Sequence, residues 1–145
     1  MSFVLDNSVT MRWFFGDGSP RDLAYATRVL DAMQSNEAVV PALWGLEVAN
    51  VLARAEAAGV VSEARSETFI GMLLQMGISV DPASPDHTLA TMLGAALQLA
   101  RRYKLSAYDA AYLELALRSG LPLATLDEHV LKAARKAGVK RFAAE

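Results

Sequence analysis

Four carboxylates occupy positions where a purely solvated role is hard to assign. Asp6 follows the short apolar run Ser2 to Leu5, and Asp127 closes the run from Pro122 to Leu126. Both runs have the length and composition of buried strands, and open parallel sheets bind ligands beyond the carboxyl ends of their strands. Helix N-capping is the competing role for either Asp. Asp109 shares its helix face with Leu105, Tyr112, Leu113 and Ala116, all within about 60° at the helical period, while Glu114 and Arg118 lie opposite. A capping box with Ser106 would also account for it. Glu47 lies within about 60° of Leu43, Trp44 and Val51, and Asn50 and Arg54 share its stripe, so a narrow polar seam and a plain surface stripe both remain open. An ionised carboxylate on a packed face is costly unless it is paired or holds a metal. Four together suit a hard cation, Mg²⁺ or Mn²⁺, which ligates through oxygen and keeps bound waters. Two such ions can activate water and stabilise the leaving oxygen of a phosphodiester.

The elements that must position these groups alternate along the chain. Ser2 to Leu5 predicts a strand, and Asp6-Asn7-Ser8 opens a helix through Phe15. Gly16 to Ser19 is a loop, and Ser19-Pro20 starts a helix to about Gln34. Ala38 to Val40 is a second strand, followed by helices from Pro41 to Gly59 and Ser62 to Met76, with Gly77 as a stop. Ile78 to Val80 is a third strand, and Ser84-Pro85 starts a helix reaching Tyr103. Ser106 to Ser119 then forms a helix closed by Gly120, Pro122 to Leu126 a strand, Asp127 to Ala137 a helix closed by Gly138, and Val139 to Phe142 an edge strand. Short apolar strands separated by helices imply right-handed crossovers. The expected fold is therefore α/β, a three-layer α/β/α arrangement around a mostly parallel sheet, with residues 1–145 as one domain.

Composition excludes several classes. The 145 residues are 53% hydrophobic and 21% charged, so the chain has neither disordered nor low-complexity character. The absence of Cys removes disulfides, thiolate metal sites and Cys nucleophiles, and two His are a poor basis for zinc. No apolar run approaches the roughly 18 residues of a membrane span, and no signal-peptide pattern opens the chain, so the expectation is a cytoplasmic, unprocessed protein.

The net charge of −2 conceals an uneven distribution. Residues 1–100 carry 5 basic and 11 acidic side chains, whereas residues 101–145 carry 9 basic and 5 acidic. Arg101, Arg102 and Lys104 form one basic cluster, and Lys132, Arg135, Lys136, Lys140 and Arg141 another. Such clusters can hold an anionic polymer, although they are also what a solvated helix face looks like.

The segments LDNSV, LEVANVL, LSAYDAAYLELA and LPLATLDEHVLKAA, in this order between Phe3 and about Ala137, resemble the PIN-domain nucleases, and closely the VapC-type toxins of type II toxin–antitoxin pairs. The resemblance implies a PIN-like fold and an acidic pocket of Asp6, Glu47, Asp109 and Asp127, with Asp6 and Asp109 as direct metal ligands. It places Ser8 and Thr125 beside the site, orienting a ligand or water, a position that capping or turn hydrogen bonds would also explain, and Asn50 where it would orient Glu47. It implies Mg²⁺- or Mn²⁺-dependent cleavage of RNA, leaving a 5′-phosphate and a 3′-hydroxyl. In that light Arg101, Arg102, Lys104, Lys132, Arg135 and Lys136 become candidate RNA-binding residues.

The implied partners are the RNA substrate, a VapB-type antitoxin and a second copy in a homodimer. Leu43, Trp44, Phe69, Met72, Leu73 and Met76 are candidates for an antitoxin groove, or equally for core. Two other readings compete. A Mg²⁺-dependent phosphoryl-transfer or receiver-type protein also places Asp at strand ends, but Ser8 stands where a dehalogenase-like phosphatase needs its second Asp, and Asp6-Asn7 lacks the receiver's acidic pair. An inactive binding protein of the same fold is opposed by the complete acidic quartet.

Overall fold

The computed structural model describes residues 1–82 and 89–144. Strand β1 (Ser2–Leu5) alternates its side chains, sending Phe3 and Leu5 to one face and Val4 to the other. It occupies an interior position in a four-stranded sheet of order β3-β2-β1-β4, with β2 (Glu37–Val40), β3 (Ile78–Val80) and β4 (Leu123–Ala124). Every pairing is parallel, with Phe3 opposite Ala38, Leu5 opposite Ala124 and Val39 opposite Ser79.

Helices cover both faces. On one, α6 (Ala107–Ser119) and α7 (Glu128–Ala137) pack Tyr112, Leu113, Leu115, Val130 and Ala133 against Val4 and Leu123. On the other, Tyr25, Ala26 and Val29 of α2 (Pro20–Ala32) meet Phe3, Leu5 and Val40. A third cluster joins α1 (Asn7–Phe15), α3 (Leu43–Ala57) and α4 (Glu63–Gln75) through Met11, Phe14, Val48, Leu52, Phe69 and Leu73. This is the three-layer α/β/α arrangement. Small polar residues start the helices: Ser19, Ser62 and Ser106 each accept an amide from the first turn, and Pro20 stands where a missing N–H is harmless.

Three expectations change. The helix expected from Ser84-Pro85 begins outside the described residues; within them, Thr91–Ala96 is π-helical and α5 (Leu97–Tyr103) follows, stopped by Lys104 in a left-handed conformation (φ 55°). β4 contracts to two residues, with Asp6 N to Ala124 O as the last backbone bond to β1 before Asp127 caps the next helix. The edge strand at Val139 to Phe142 reduces to a single parallel bridge between Leu123 and Arg141, ended by Ala143 at φ 53°. Among the described residues no helix is long and apolar enough to cross a membrane.

Candidate active site

The acidic residues meet at the carboxyl end of β1 and β4, where the chain leaves both strands for helices. Asp6 is held there by its amide, which donates to Ala124 O (2.9 Å), and it precedes α1 without capping it, since its carboxylate accepts no amide of that helix. Instead, Oδ2 accepts two hydroxyls, from Thr125 at 2.6 Å and Ser8 at 2.8 Å. Each hydroxyl is itself fixed by a backbone amide: Asp127 N donates to Thr125 Oγ1 (3.1 Å) and Leu126 N to Ser8 Oγ (3.0 Å). The two residues expected beside the site thus tie the ends of β1 and β4 together through Asp6, and among the described residues no hydrogen bond reaches Oδ1.

Asp6 is 5% exposed. Burial pushes its pKa up to about 6; the Thr125 and Ser8 hydroxyls oppose the rise, and the Asp109 and Glu47 charges add to it. Glu47 and Asp109 are half-buried, and burial raises both. Asp109 repels Glu47, and Asp127 repels Asp109, while His129 and the Ser106 hydroxyl lower Asp109. The quartet is therefore electrostatically connected, from Asp6 and Glu47 through Asp109 to Asp127.

The competing structural roles divide. Asp127 does cap its helix, its Oδ1 accepting His129 N (2.9 Å) and Val130 N (3.0 Å). Asp109 stands in the first turn of α6, where Ser106 Oγ accepts its amide (3.0 Å). Asn50 does not do what was expected: it is exposed and makes no hydrogen bond to Glu47. The group that holds Glu47 is Tyr112, fully buried, whose hydroxyl donates to Oε1. Burial and the nearby carboxylates push this phenol far above its ordinary range, so it remains a donor. Tyr112 was identified only as a neighbour of Asp109 on the helix face. The usable signal was the spacing AYDAAY, which puts a hydroxyl one turn beyond the inward carboxylate.

Among the described residues no Arg or Lys is paired with any of the four carboxylates; the ion pairs are Arg12–Asp17 and Arg118 with Asp81 and Glu114. Nor do three or more His, Asp or Glu side chains close around one point as a complete metal cage. An all-oxygen donor set of uncompensated, mutually repelling carboxylates fits Mg²⁺ or Mn²⁺ held through one or two carboxylates, with water in the remaining positions.

The basic candidates split between two clefts flanking α7. Arg102, Lys104, Lys132 and Lys136 line one, with Tyr103 and His129. Arg135 lines the other, which Lys132 and His129 also border. Arg101 is exposed and lines neither. Of the two roles open to the Leu43, Trp44, Phe69, Met72, Leu73 and Met76 stripe, the structure favours core: Phe69 and Leu73 are buried, Leu43, Trp44 and Met76 pack partly buried against core clusters, and Met72 alone is exposed, with α4 facing α1 and α3.

A PIN domain family model matches residues 3–136. Two solved structures share the fold. PAE2754 from Pyrobaculum aerophilum is 22% identical, with a TM-score of 0.65 over 92% of this chain and 87% of that one. VapBC2 from Rickettsia felis, bound to a DNA fragment from their promoter, gives a TM-score of 0.67 at 11% identity over 97% of both chains. A search of curated protein sequences finds no match.

Proposed function

The chain belongs to the PIN-domain family, and from that membership we propose that it is a Mg²⁺- or Mn²⁺-dependent endoribonuclease, the toxin of a VapBC-type pair. The observation that carries this reading is Asp6: a buried carboxylate fixed by two hydroxyls, repelled by Glu47 and Asp109, and compensated by no cationic side chain among the described residues. Such an arrangement is unfavourable without a cation, and it is what a hydrolytic metal pocket requires.

Asp6 and Asp109 are the groups that would hold the ion directly. When bound, the ion supplies a water of lowered pKa and positive charge for the phosphodiester oxygens. The protein's own groups prepare that event. Thr125 and Ser8 fix Asp6 Oδ2 and so orient the carboxylate; Tyr112 fixes Glu47, to which we assign the acceptance of a proton from the attacking water. Asp127, anchored by its cap, adds negative charge beside Asp109.

The proposed partners are a VapB-type antitoxin and a second copy of this chain; Leu46, Leu74 and Leu93 are among the exposed apolar side chains available to them. The deciding experiment is cleavage of unstructured RNA by purified protein in Mg²⁺ and in EDTA, with Asp109→Asn as comparison. Cleavage only in Mg²⁺, abolished by Asp109→Asn in a folded protein, supports the reading. Wild-type cleavage by that variant overturns the site.

A further inference from the structure

An acidic pocket repels the polyanion it is meant to cut, so the attraction must come from nearby. The second cleft beside α7 is the strongest candidate: an open groove of about 880 Å³ between α2 and α7. Among the described residues five cationic side chains line it, Arg21 and Arg28 from α2, Lys132 and Arg135 from α7, and Arg141 from the C-terminal segment, against two carboxylates, Asp22 and Glu128.

Two of the guanidinium groups are built in rather than merely solvated. Arg141 lies 3.7 Å from the centroid of the Tyr25 ring and donates from Nη2 to Thr125 O at 3.1 Å. Its Nε is buried without a hydrogen-bond partner, and no carboxylate forms an ion pair with it among the described residues. Arg28 packs 5.4 Å from the same ring and donates from Nε to Ala143 O at 3.3 Å. Tyr25 is itself fixed, buried and donating its hydroxyl to Phe142 O at 2.7 Å. One aromatic ring therefore gathers two guanidinium groups at the groove floor, where cation–π attraction offsets part of their repulsion.

The groove also reaches the reacting end of the sheet. Leu126, Glu128 and His129 line it, and these residues flank Asp127. Arg141 is bonded to the carbonyl of Thr125, the residue whose hydroxyl holds Asp6. A strand lying in the groove would pass directly from cationic contacts to the acidic pocket.

From this placement we propose that the α2/α7 groove is a backbone-binding track for single-stranded RNA, taking the phosphates on one side of the bond to be cut. The inference rests on the ribonuclease reading and deepens it. Recognition here is through phosphates: Tyr25, at the floor, is buried under its guanidinium groups and offers no face to a base, and His129, the other ring lining the groove among the described residues, stands two residues from Asp127 at the pocket end. The track is therefore indifferent to sequence, and selectivity arises elsewhere.

The test uses Arg21→Glu/Arg135→Glu, both exposed positions whose reversal leaves the core untouched. Arg54→Glu/Lys140→Glu, exposed and outside the groove, makes the same change in net charge. Affinity for a labelled, unstructured RNA of about twenty nucleotides is measured with Ca²⁺ replacing Mg²⁺ across a salt series. The expected result is at least about a tenfold loss at low salt for the groove variant, a log–log salt slope shallower by about two, and a much smaller change in the control. Equal losses in both variants, or no loss in the groove variant, overturn the track while leaving the nuclease reading intact. A wild-type protein that neither binds nor cleaves the RNA overturns both. Tighter binding of a polyglutamate peptide than of RNA, lost in the groove variant, overturns the track in favour of an acidic protein segment.

Discussion

The junctions β1–α1 and β4–α7 look alike in sequence and nearly alike in backbone. Each ends a short apolar strand on an Asp that precedes a helix, with φ,ψ of −78°,143° at Asp6 and −74°,119° at Asp127. Yet Asp127 accepts two helix amides and Asp6 accepts none. The difference comes from the surroundings. Two residues beyond Asp6 stands Ser8, whose hydroxyl reaches back to the carboxylate; two beyond Asp127 stands His129, which offers that carboxylate its amide. β1 lies between β2 and β4, so Thr125 is brought across from β4 and Asp6 is buried. The same local signature thus yields a helix cap at one junction and an available, strained carboxylate at the other, and the strand order decides which.

The largest expected effect separates the two junctions by activity. Asp6→Asn keeps the shape and the acceptor for both hydroxyls but removes the charge that would hold the ion. RNA cleavage in Mg²⁺ should fall by about a thousandfold, roughly 4 kcal/mol of barrier. Asp127→Asn should lose distinctly less. Equal losses, measured as initial rates on one RNA, would erase the functional contrast between the junctions.

The next effect is in stability. Asp6 has its folded pKa raised from 3.8 to about 6, so the folded state holds this proton more tightly than the unfolded chain. Its contribution to stability is fully present below the unfolded pKa of 3.8 and is lost as pH rises through about 6, amounting to about 3 kcal/mol. Glu47 and Asp109, also raised, act in the same direction. Urea titrations in EDTA should therefore show wild type losing stability relative to Asp6→Asn between pH 4 and pH 7, on the order of those 3 kcal/mol. Millimolar Mg²⁺ should restore part of the loss in wild type and little in the variant. Parallel pH profiles for the two proteins would show that Asp6 carries no such strain.

A smaller effect tests the group that holds Glu47. Tyr112→Phe deletes the donor to a half-buried carboxylate and should destabilise the fold by about 1 kcal/mol. It should also raise the Mg²⁺ concentration needed for half-maximal cleavage, because Glu47 loses its fixed orientation. Asn50→Ala, at an exposed position without a bond to Glu47, should change neither quantity. The opposite ranking would return the orienting role to Asn50.

What the sequence revealed and what it hid divide along the same line. The positions of β1, β2 and β3, helix starts at Ser19, Ser62 and Ser106, and stops at Gly120 and Gly138 follow from local propensity, and the structure reproduces them. The convergence of Asp6 with Thr125 was accessible because both stand at strand ends, and a parallel sheet aligns such ends. The Tyr112–Glu47 bond was hidden, since it joins residues 65 apart on helices whose relative rotation no single-helix period determines. Met72, Phe69 and Leu73 show the same limit: a stripe at helical spacing marks a packed face without telling core from groove. The Arg28–Tyr25–Arg141 stack unites α2 with the C-terminal segment, over a separation of more than a hundred residues that charge clustering along the chain does not register.

The smallest effect concerns the cap itself and asks whether the two oxygens of Asp127 do separate work. Oδ1 accepts both helix amides, and among the described residues no hydrogen bond reaches Oδ2, which leaves that oxygen to add charge beside Asp109. Asn caps a helix as well as Asp does, whereas Ala leaves the amides of the first turn unsatisfied. Asp127→Asn should therefore stay within about 0.5 kcal/mol of wild type, and Asp127→Ala should be less stable by about 1 kcal/mol. Both remove the carboxylate charge, so their losses of activity should be alike when each is assayed well below its melting temperature. Cleavage that tracks stability, with Asp127→Asn fully active, would make Asp127 a cap and nothing more. The contrast with Asp6 would then be complete, one junction serving the fold alone and the other the chemistry.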